Sequence, residues 1–343
     1  MDQTNNAGHQ KLKIDLRTGS PYAQLIRSHG EFAALVGKYF NVPPCNVIPS
    51  SGATGGIEAV RNHIFRVVPR RSPVLLTVSP GYWRARECFQ GFGFELVDLE
   101  TEAAGFAISE AALIQKAKEI KPDLIYLSLP NNPTGATFDA TTILQGIGES
   151  VSVLLDLTLP NGKVDARKLT GELYQRFHGR ERGFLVGSTS KSHNTAQYRI
   201  GWVVCTDSRD AATLKQENRN VVSSVSVEEA SGQLKKEPSV HALIEKSFCM
   251  LKAAQQEGGF RLIQPPSRVE SSYALISFLH DTRTLRESLE QHGICVMWGS
   301  EFGLNDNYVR VEMSEPDSLS AFIRILTCSS RPIPLFAASP TTS

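Results

Sequence analysis

Ser188-Thr189-Ser190-Lys191-Ser192-His193-Asn194-Thr195-Ala196-Gln197-Tyr198-Arg199-Ile200-Gly201-Trp202 joins two apolar runs, Gly183–Val186 and Arg199–Cys205. Short apolar runs bounded by polar turn residues read as buried strands, so Lys191 falls on the loop between two of them. An ammonium group is almost never fully buried without a partner. The residues alone leave two readings open: a lysine that snorkels to water, or an amine kept beside the sheet for chemistry. The company of Lys191 favours the second. Ser188 and Ser190 offer hydroxyl donors and Arg199 a rigid cationic fork, a set that could hold a phosphate dianion beside the amine.

At 343 residues the chain is long enough for two domains, or one large and one small. A net charge of +1 with 21% charged residues provides no strong field, which argues against nucleic acid or an anionic membrane as a bulk partner. The six cysteines, Cys45, Cys88, Cys205, Cys249, Cys295 and Cys328, form no Cys-x-x-Cys pair and no zinc-type spacing with histidine. They read as reduced thiols of a cytoplasmic protein, and no metal is expected. Met1–Gln10 lacks the basic-then-apolar pattern of a secretory signal, and no apolar run reaches the ~20 residues of a membrane-spanning helix. The tail Pro332–Ser343, rich in Pro, Ser and Thr, is expected to be loose.

Taken in order, Ile14–Tyr22 reads as an extended segment ending in a Gly-Ser-Pro turn, and Glu31–Phe40 as a helix with Phe32, Leu35, Val36 and Tyr39 on one face. Ser50-Ser51-Gly52-Ala53-Thr54-Gly55-Gly56 opens a second helix, where small residues and free amides suit an anion. The stretch fails the Walker and Gly-x-Gly-x-x-Gly spacings, and a plain helix start remains its simpler reading. Strands are expected at Val74–Val78 and Glu95–Leu99; Tyr82, just past the first, could stack on a flat ring or merely cover the sheet edge. A helix follows over Ser109–Ile120, then the strand Leu124–Leu129, which runs into Pro130-Asn131-Asn132-Pro133-Thr134-Gly135. The strand Ser152–Leu155 ends at Asp156, a carboxylate that is costly to bury without a partner. A charged helical region, Ser226–Gln256, is broken at Pro238. It leads to the strands Tyr273–Leu279, Ile294–Met297 and Tyr308–Met313, with helices Leu285–His292 and Asp317–Leu326, an α+β layer.

Ser-x-Ser-Lys191 followed eight residues later by Arg199, then Ile200, Gly201 and Trp202, resembles the pyridoxal-phosphate signature of the class I/II, fold-type I aminotransferases. Pro130-Asn131-Asn132-Pro133-Thr134-Gly135 resembles that family's most specific motif, and Tyr308-Val309-Arg310 its Tyr-x-Arg strand. The likeness runs from about Ile14 to about Leu326. It implies an α/β fold with a mostly parallel, doubly wound, seven-stranded sheet and a small α+β C-terminal domain. The implied division is an N-terminal arm over 1–30, a large cofactor-binding domain over 31–225, a small domain over 226–330 and a tail over 331–343.

The resemblance also implies roles. Lys191 would carry pyridoxal 5'-phosphate as an imine, and Asp156 would pair with its pyridine nitrogen. Ala53, Thr54, Ser188, Ser190 and Arg199 would hold its phosphate, Tyr82 would stack on its ring, and Asn132 would donate to its ring oxygen. Arg310 would clamp the α-carboxylate of an amino acid substrate. Tyr39, three residues before Val42, matches the aromatic of histidinol-phosphate-type members that reaches the partner subunit's cofactor phosphate, so a homodimer is implied; its place on a helical apolar face suits the core equally well. Tyr22 stands as a cap on the substrate entrance or as a packed turn aromatic, and His193 and Trp298 are further candidates for specificity.

One position departs from the family pattern. Where the family continues Asp-Glu-Ala-Tyr, this chain has Asp156-Leu157-Thr158-Leu159, and Leu159 cannot donate the tyrosine's hydrogen bond. Loss of that donor should keep a proton on the lysine-bound nitrogen to higher pH. The first expectation is therefore an aminotransferase. Elimination, replacement, decarboxylation or carbon–carbon bond formation is the alternative, and a cofactor-binding regulator without turnover the last.

Overall fold

A computed structural model describes residues 19–159, 166–217, 222–236, 240–266, 271–278 and 282–329. Met1–Gln10, Ile14, Pro238, Leu279 and Pro332–Ser343, on which several expectations rested, lie outside the described residues.

Among the described residues the chain runs α1 (Gly19–Phe40), β1 (Val47–Ser50), α2 (Gly52–Val67), β2 (Val74–Ser79), α3 (Trp83–Gln90), β3 (Glu95–Glu100) and α4 (Glu110–Ile120). It continues through β4 (Leu124–Ser128), α5 (Ala140–Gly146), β5 (Ser152–Asp156), α6 (Ala166–Phe177), β6 (Gly183–Ser188), β7 (Gly201–Cys205) and α7 (Ser208–Glu217). The last part holds α8 (Ser224–Gln233), α9 (His241–Gln255), β8 (Phe260–Leu262), β9 (Tyr273–Phe278), α10 (Thr282–Gln291), β10 (Met297–Trp298), β11 (Tyr308–Glu312) and α11 (Pro316–Ser329).

β1 to β7 form one seven-stranded sheet in the order β1-β7-β6-β5-β4-β2-β3. All neighbours in it pair in parallel except β7, which runs antiparallel to both β6 and β1. Parallel strands covered on both faces read as unbroken apolar runs, and β4, β5 and β6 are buried at every position. The pleat then sends alternate residues to opposite sides. Leu124, Tyr126 and Leu154 join the core under α2, α3 and α7, with Ile57, Ile64, Phe89 and Leu214. Ile125, Leu127, Val153 and Leu155 join the core under α1, α4, α5, α6 and α8, with Phe32, Val36, Leu113 and Ile143. The result is the doubly wound α/β architecture expected from the resemblance.

The second sheet is four-stranded, order β10-β11-β9-β8, antiparallel throughout. One face packs Ala274, Ile276, Val309 and Val311 against Phe248, Leu251, Leu289 and Phe322 of the surrounding helices. The other face carries Tyr308, Arg310 and Glu312, at the alternating half-buried positions of β11. That face meets the large sheet's side of the molecule. The Phe106 and Tyr308 rings sit edge-on with centroids 5.5 Å apart, and the Tyr308 hydroxyl donates to Glu102 at 2.9 Å.

Two expectations are corrected. The extended segment ending at Tyr22 is helical from Gly19 onward, because Pro21 sits in the first turn of α1, where its missing N–H is not needed. The strand placed at Ile294–Met297 is instead the two-residue β10, Met297–Trp298. β1, β8 and helices α3, α5, α6 and α7 were not anticipated from the sequence.

Candidate active site

β1, β2, β4, β5 and β6 all run the same way, so their carboxyl ends lie on one edge of the sheet. In an open parallel sheet this edge forms the ligand crevice. The segments leaving it carry Gly52–Thr54, Tyr82, Asn132, Asp156 and Lys191. Lys191 lies on the loop between β6 and β7, as the apolar runs predict.

The start of α2 is set by two glycines. Gly201, the first residue of β7, pairs with Ser50 on one side and Ser188 on the other. A Cβ there would lie 2.6 Å from the Gly52 carbonyl carbon, 2.7 Å from the Gly187 oxygen and 2.8 Å from the Ala53 nitrogen. Gly52 has φ +68, and the guanidinium of Arg199 would stand 2.7 Å from its missing Cβ. Arg199 is exposed, bonds to the Ala196 carbonyl at 3.3 Å, and therefore places a cation over the free amides of α2. Ser188 is buried, and its hydroxyl oxygen accepts a long bond from the Ser190 amide at 3.4 Å.

Asp156 ends β5 at 4% exposure. One carboxylate oxygen accepts from the buried Tyr126 hydroxyl at 3.1 Å, the other from the Thr158 amide at 3.0 Å. Both donors are neutral. Burial raises this carboxyl above its ordinary range, against the lowering effect of the Thr158 and Tyr126 hydrogen bonds. Tyr82 caps α3 close by: burial raises its phenol, a hydrogen bond with Thr54 opposes the rise, and the charge of Asp156 adds to it.

Lys191 meets the small sheet. Its Nζ donates to Glu312 Oε2 at 2.8 Å and stands 4.9 Å from the Tyr273 ring centroid. Burial works to lower the amine, yet Tyr273 and Glu312 outweigh it and hold it above the usual lysine range. The guanidinium of Arg310 lies 3.8 Å from the same ring and 5.2 Å from that of Phe302. It donates to the Asn132 side-chain oxygen at 3.2 Å and to the Met297 sulfur. Burial lowers Arg310, with the nearby Tyr273 and Glu312 acting in the opposite sense. Its fork thus faces the crevice with a neutral amide and a thioether as hydrogen-bond partners, a geometry suited to receiving a carboxylate.

The structure thus gathers Ala53, Thr54, Tyr82, Asn132, Asp156, Ser188, Ser190, Lys191, Arg199 and Arg310 around one edge of the sheet. Tyr39 lines a different surface, a cleft of about 1010 Å³ between the end of α1 and α6, where its ring packs edge-on against Phe40 at 4.9 Å. The Tyr22 side chain lies outside the described residues. His193 is 9% exposed, with Nδ1 at 2.8 Å from the Ser192 hydroxyl and Nε2 at 3.3 Å from the Lys236 carbonyl, so it packs toward the chain after α8. The Trp298 ring carries the Arg286 guanidinium at 4.3 Å. Leu159 is buried at 6% exposure and brings no donor.

Three residues of the crevice went unrecognised in the sequence: Tyr126, Tyr273 and Glu312. For Glu312 a signal existed, since it stands two residues beyond Arg310 on a strand and must share its face. Tyr126 and Tyr273 look like ordinary strand aromatics, and nothing in the sequence distinguishes them.

The profile of the class I and II aminotransferases matches residues 10–326. A histidinol-phosphate aminotransferase of Xylella fastidiosa is 28% identical over 177 residues, 50% of this chain and 46% of that protein. An aspartate aminotransferase of Thermococcus kodakarensis is 26% identical over 219 residues, 59% of this chain and 55% of that one. The chain therefore spans about half the length of the curated relatives it matches. Among solved structures, histidinol-phosphate aminotransferase from Sinorhizobium meliloti in complex with pyridoxal-5'-phosphate superposes with a TM-score of 0.68 at 16% identity, covering 88% of this chain and 82% of that one. That likeness concerns the fold. With the profile spanning nearly all of its length, this chain belongs to the class I and II aminotransferases.

Proposed function

We propose that the chain is a pyridoxal-phosphate-dependent aminotransferase acting on an α-amino acid. The observation that carries this reading is Asp156: a carboxylate at 4% exposure whose hydrogen-bond donors are both neutral, on the same sheet edge as the amine of Lys191. A buried carboxylate calls for a cation, and a protonated pyridine nitrogen fits the position.

When bound, the cofactor supplies an electron sink for the bond broken at the substrate Cα. The chain's own residues do the rest. Asp156 would hold the proton on the pyridine nitrogen. Arg199, the hydroxyls of Ser188 and Ser190, and the free amides at Ala53 and Thr54 would bind the phosphate at the start of α2. Tyr82 would stack on the ring, and the Asn132 amide would donate to the ring oxygen. Arg310 would receive the α-carboxylate of the amino acid in its fork. Lys191 would anchor the cofactor aldehyde, and its amine, when free and unprotonated, would serve as general base toward the Cα proton.

The same reading places the crevice between a large cofactor-binding part, 31–225, and a small C-terminal part, 226–330. It treats the protein as a homodimer in which Tyr39 reaches the partner subunit's phosphate, with Tyr22 near the substrate entrance. Unpaired thiols at Cys45, Cys88, Cys205, Cys249 and Cys295 support a cytoplasmic location. No helix among the described residues is long and apolar enough to cross a membrane.

Reconstituted with pyridoxal phosphate, the protein is expected to gain a visible absorption band that Lys191→Ala lacks. One amino acid from a panel should bleach the band and yield its 2-oxo acid, and a second 2-oxo acid should restore the colour. A Lys191→Ala protein coloured like the wild type would overturn the reading. Buried Leu159, in place of a donor, favours a second reading. Product formed with no need for a 2-oxo acid would assign elimination, replacement, decarboxylation or carbon–carbon bond formation instead.

A further inference from the structure

Glu312 belongs to none of the motifs that define the site, yet it is the carboxylate in direct contact with Lys191. It stands at the end of β11, on the face opposite the buried Val309 and Val311. Its Oε2 accepts from the Lys191 amine at 2.8 Å, with the two side chains 33% and 27% exposed. Its Oε1 accepts from the Ser314 hydroxyl at 2.9 Å. The carboxylate is therefore anchored by the chain just beyond β11, independently of the lysine.

Beside this pair, Tyr273 on β9 is the cross-strand partner of Glu312 and Arg310 shares its face of β11, while Tyr82, itself near Asp156, approaches Tyr273 from the large sheet. Arg310 is the cation that competes for Glu312, and its guanidinium lies over the Tyr273 ring, bonded to Asn132 and Met297. The Lys191 nitrogen thus has an anion against it, and Leu159 brings no donor to the crevice. An opposite charge within ~4–6 Å favours the charged form of its neighbour.

We propose that Glu312 is the counter-ion of Lys191, a positioning carboxylate that keeps a proton on the lysine nitrogen when it bears the cofactor. The inference rests on the reading of Lys191 as the cofactor-bearing residue. The protonated nitrogen is the electrophilic form, so Glu312 extends the pH range in which an incoming amino acid can displace the lysine.

The test is a pH titration of the visible band of the reconstituted holoenzyme, because the band position reports protonation of the Lys191 nitrogen. Glu312→Gln should lower the midpoint by about one pH unit or more, a tenfold loss of proton affinity. Glu312→Asp keeps the charge but moves it back by one methylene, and should fall between the two. Equal midpoints in wild type and Glu312→Gln, with matching melting temperatures, would overturn the proposal. If Glu312→Gln does not fold, Glu312→Asp decides: a midpoint below that of the wild type supports the counter-ion, and an equal one overturns it. A band that survives in Lys191→Ala defeats the reading of the lysine itself. A band lost in Lys191→Ala but unmoved by Glu312→Gln defeats the counter-ion alone.

Discussion

Asp156 shows what a single site residue does to the protein without its cofactor. Its carboxyl is raised by burial, because the hydrogen bonds from Thr158 and Tyr126 offset only part of the lost hydration. An acid whose pKa rises on folding binds its proton more tightly in the native state. Its contribution to stability is therefore complete below the unfolded pKa and is lost as pH climbs through the native one. Asp156→Asn removes that loss. In thermal melts of the cofactor-free protein, the melting temperature of Asp156→Asn relative to wild type should increase steadily as pH rises from about 4. A constant difference across that range would mean that the carboxylate is not strained by burial. Asp156 and Lys191 could be picked out from sequence because each is an expensive group at the end of an apolar run. For Glu312 the sequence offered only its place on the same strand face as Arg310; its contact with Lys191 exists only once the strand is packed against that lysine.

At the scale of elements, the junction of β1, β6, β7 and α2 depends on the absence of one side chain. Three backbone atoms lie within 2.6–2.8 Å of where a Cβ on Gly201 would stand. Backbone at the centre of a sheet has little room to shift, so Gly201→Ala is expected to destabilise by about 1–3 kcal/mol. It should also weaken cofactor binding, because it displaces the first turn of α2 and Arg199 above it. Urea unfolding and cofactor titration of the variant check both, and an unchanged midpoint would show that the junction is looser than these distances imply. The strands buried on both faces were readable as continuous apolar stretches. Two strands were not readable: β8 is only three residues, and β1 carries Pro49. Helix α3 buries only Ala85 and Phe89, too few apolar positions for a visible period. At α1 the error came from treating Pro21 as a turn former when it occupies a first helical turn.

At the scale of the whole molecule, the site joins the carboxyl edge of one sheet to the polar face of the other. If Tyr39 completes the partner's site, two different single defects should complement one another. A protein carrying Lys191→Ala and one carrying Tyr39→Ala would each be impaired alone, yet coexpression would produce mixed dimers with one intact site. Activity near a quarter of the wild-type value is then expected from an equal mixture, since about half of the dimers are mixed and each keeps one of two sites. No recovery, with mixed dimers demonstrated by differential tags, would place Tyr39 in packing alone, where its contact with Phe40 already puts it.

The sequence by itself determined the strands β2 to β7, the loops that leave their carboxyl ends, and the family to which the chain belongs. These are consequences of local pattern: apolar runs, turn residues, and the spacing from Lys191 to Arg199. Only the tertiary structure decided that Glu312 touches Lys191 across 121 positions and that Arg310 reaches Asn132 across 178. Those pairings arise when the small sheet is laid over the large one. The order of residues within a strand fixes which side chains share a face, but only packing fixes what that face meets.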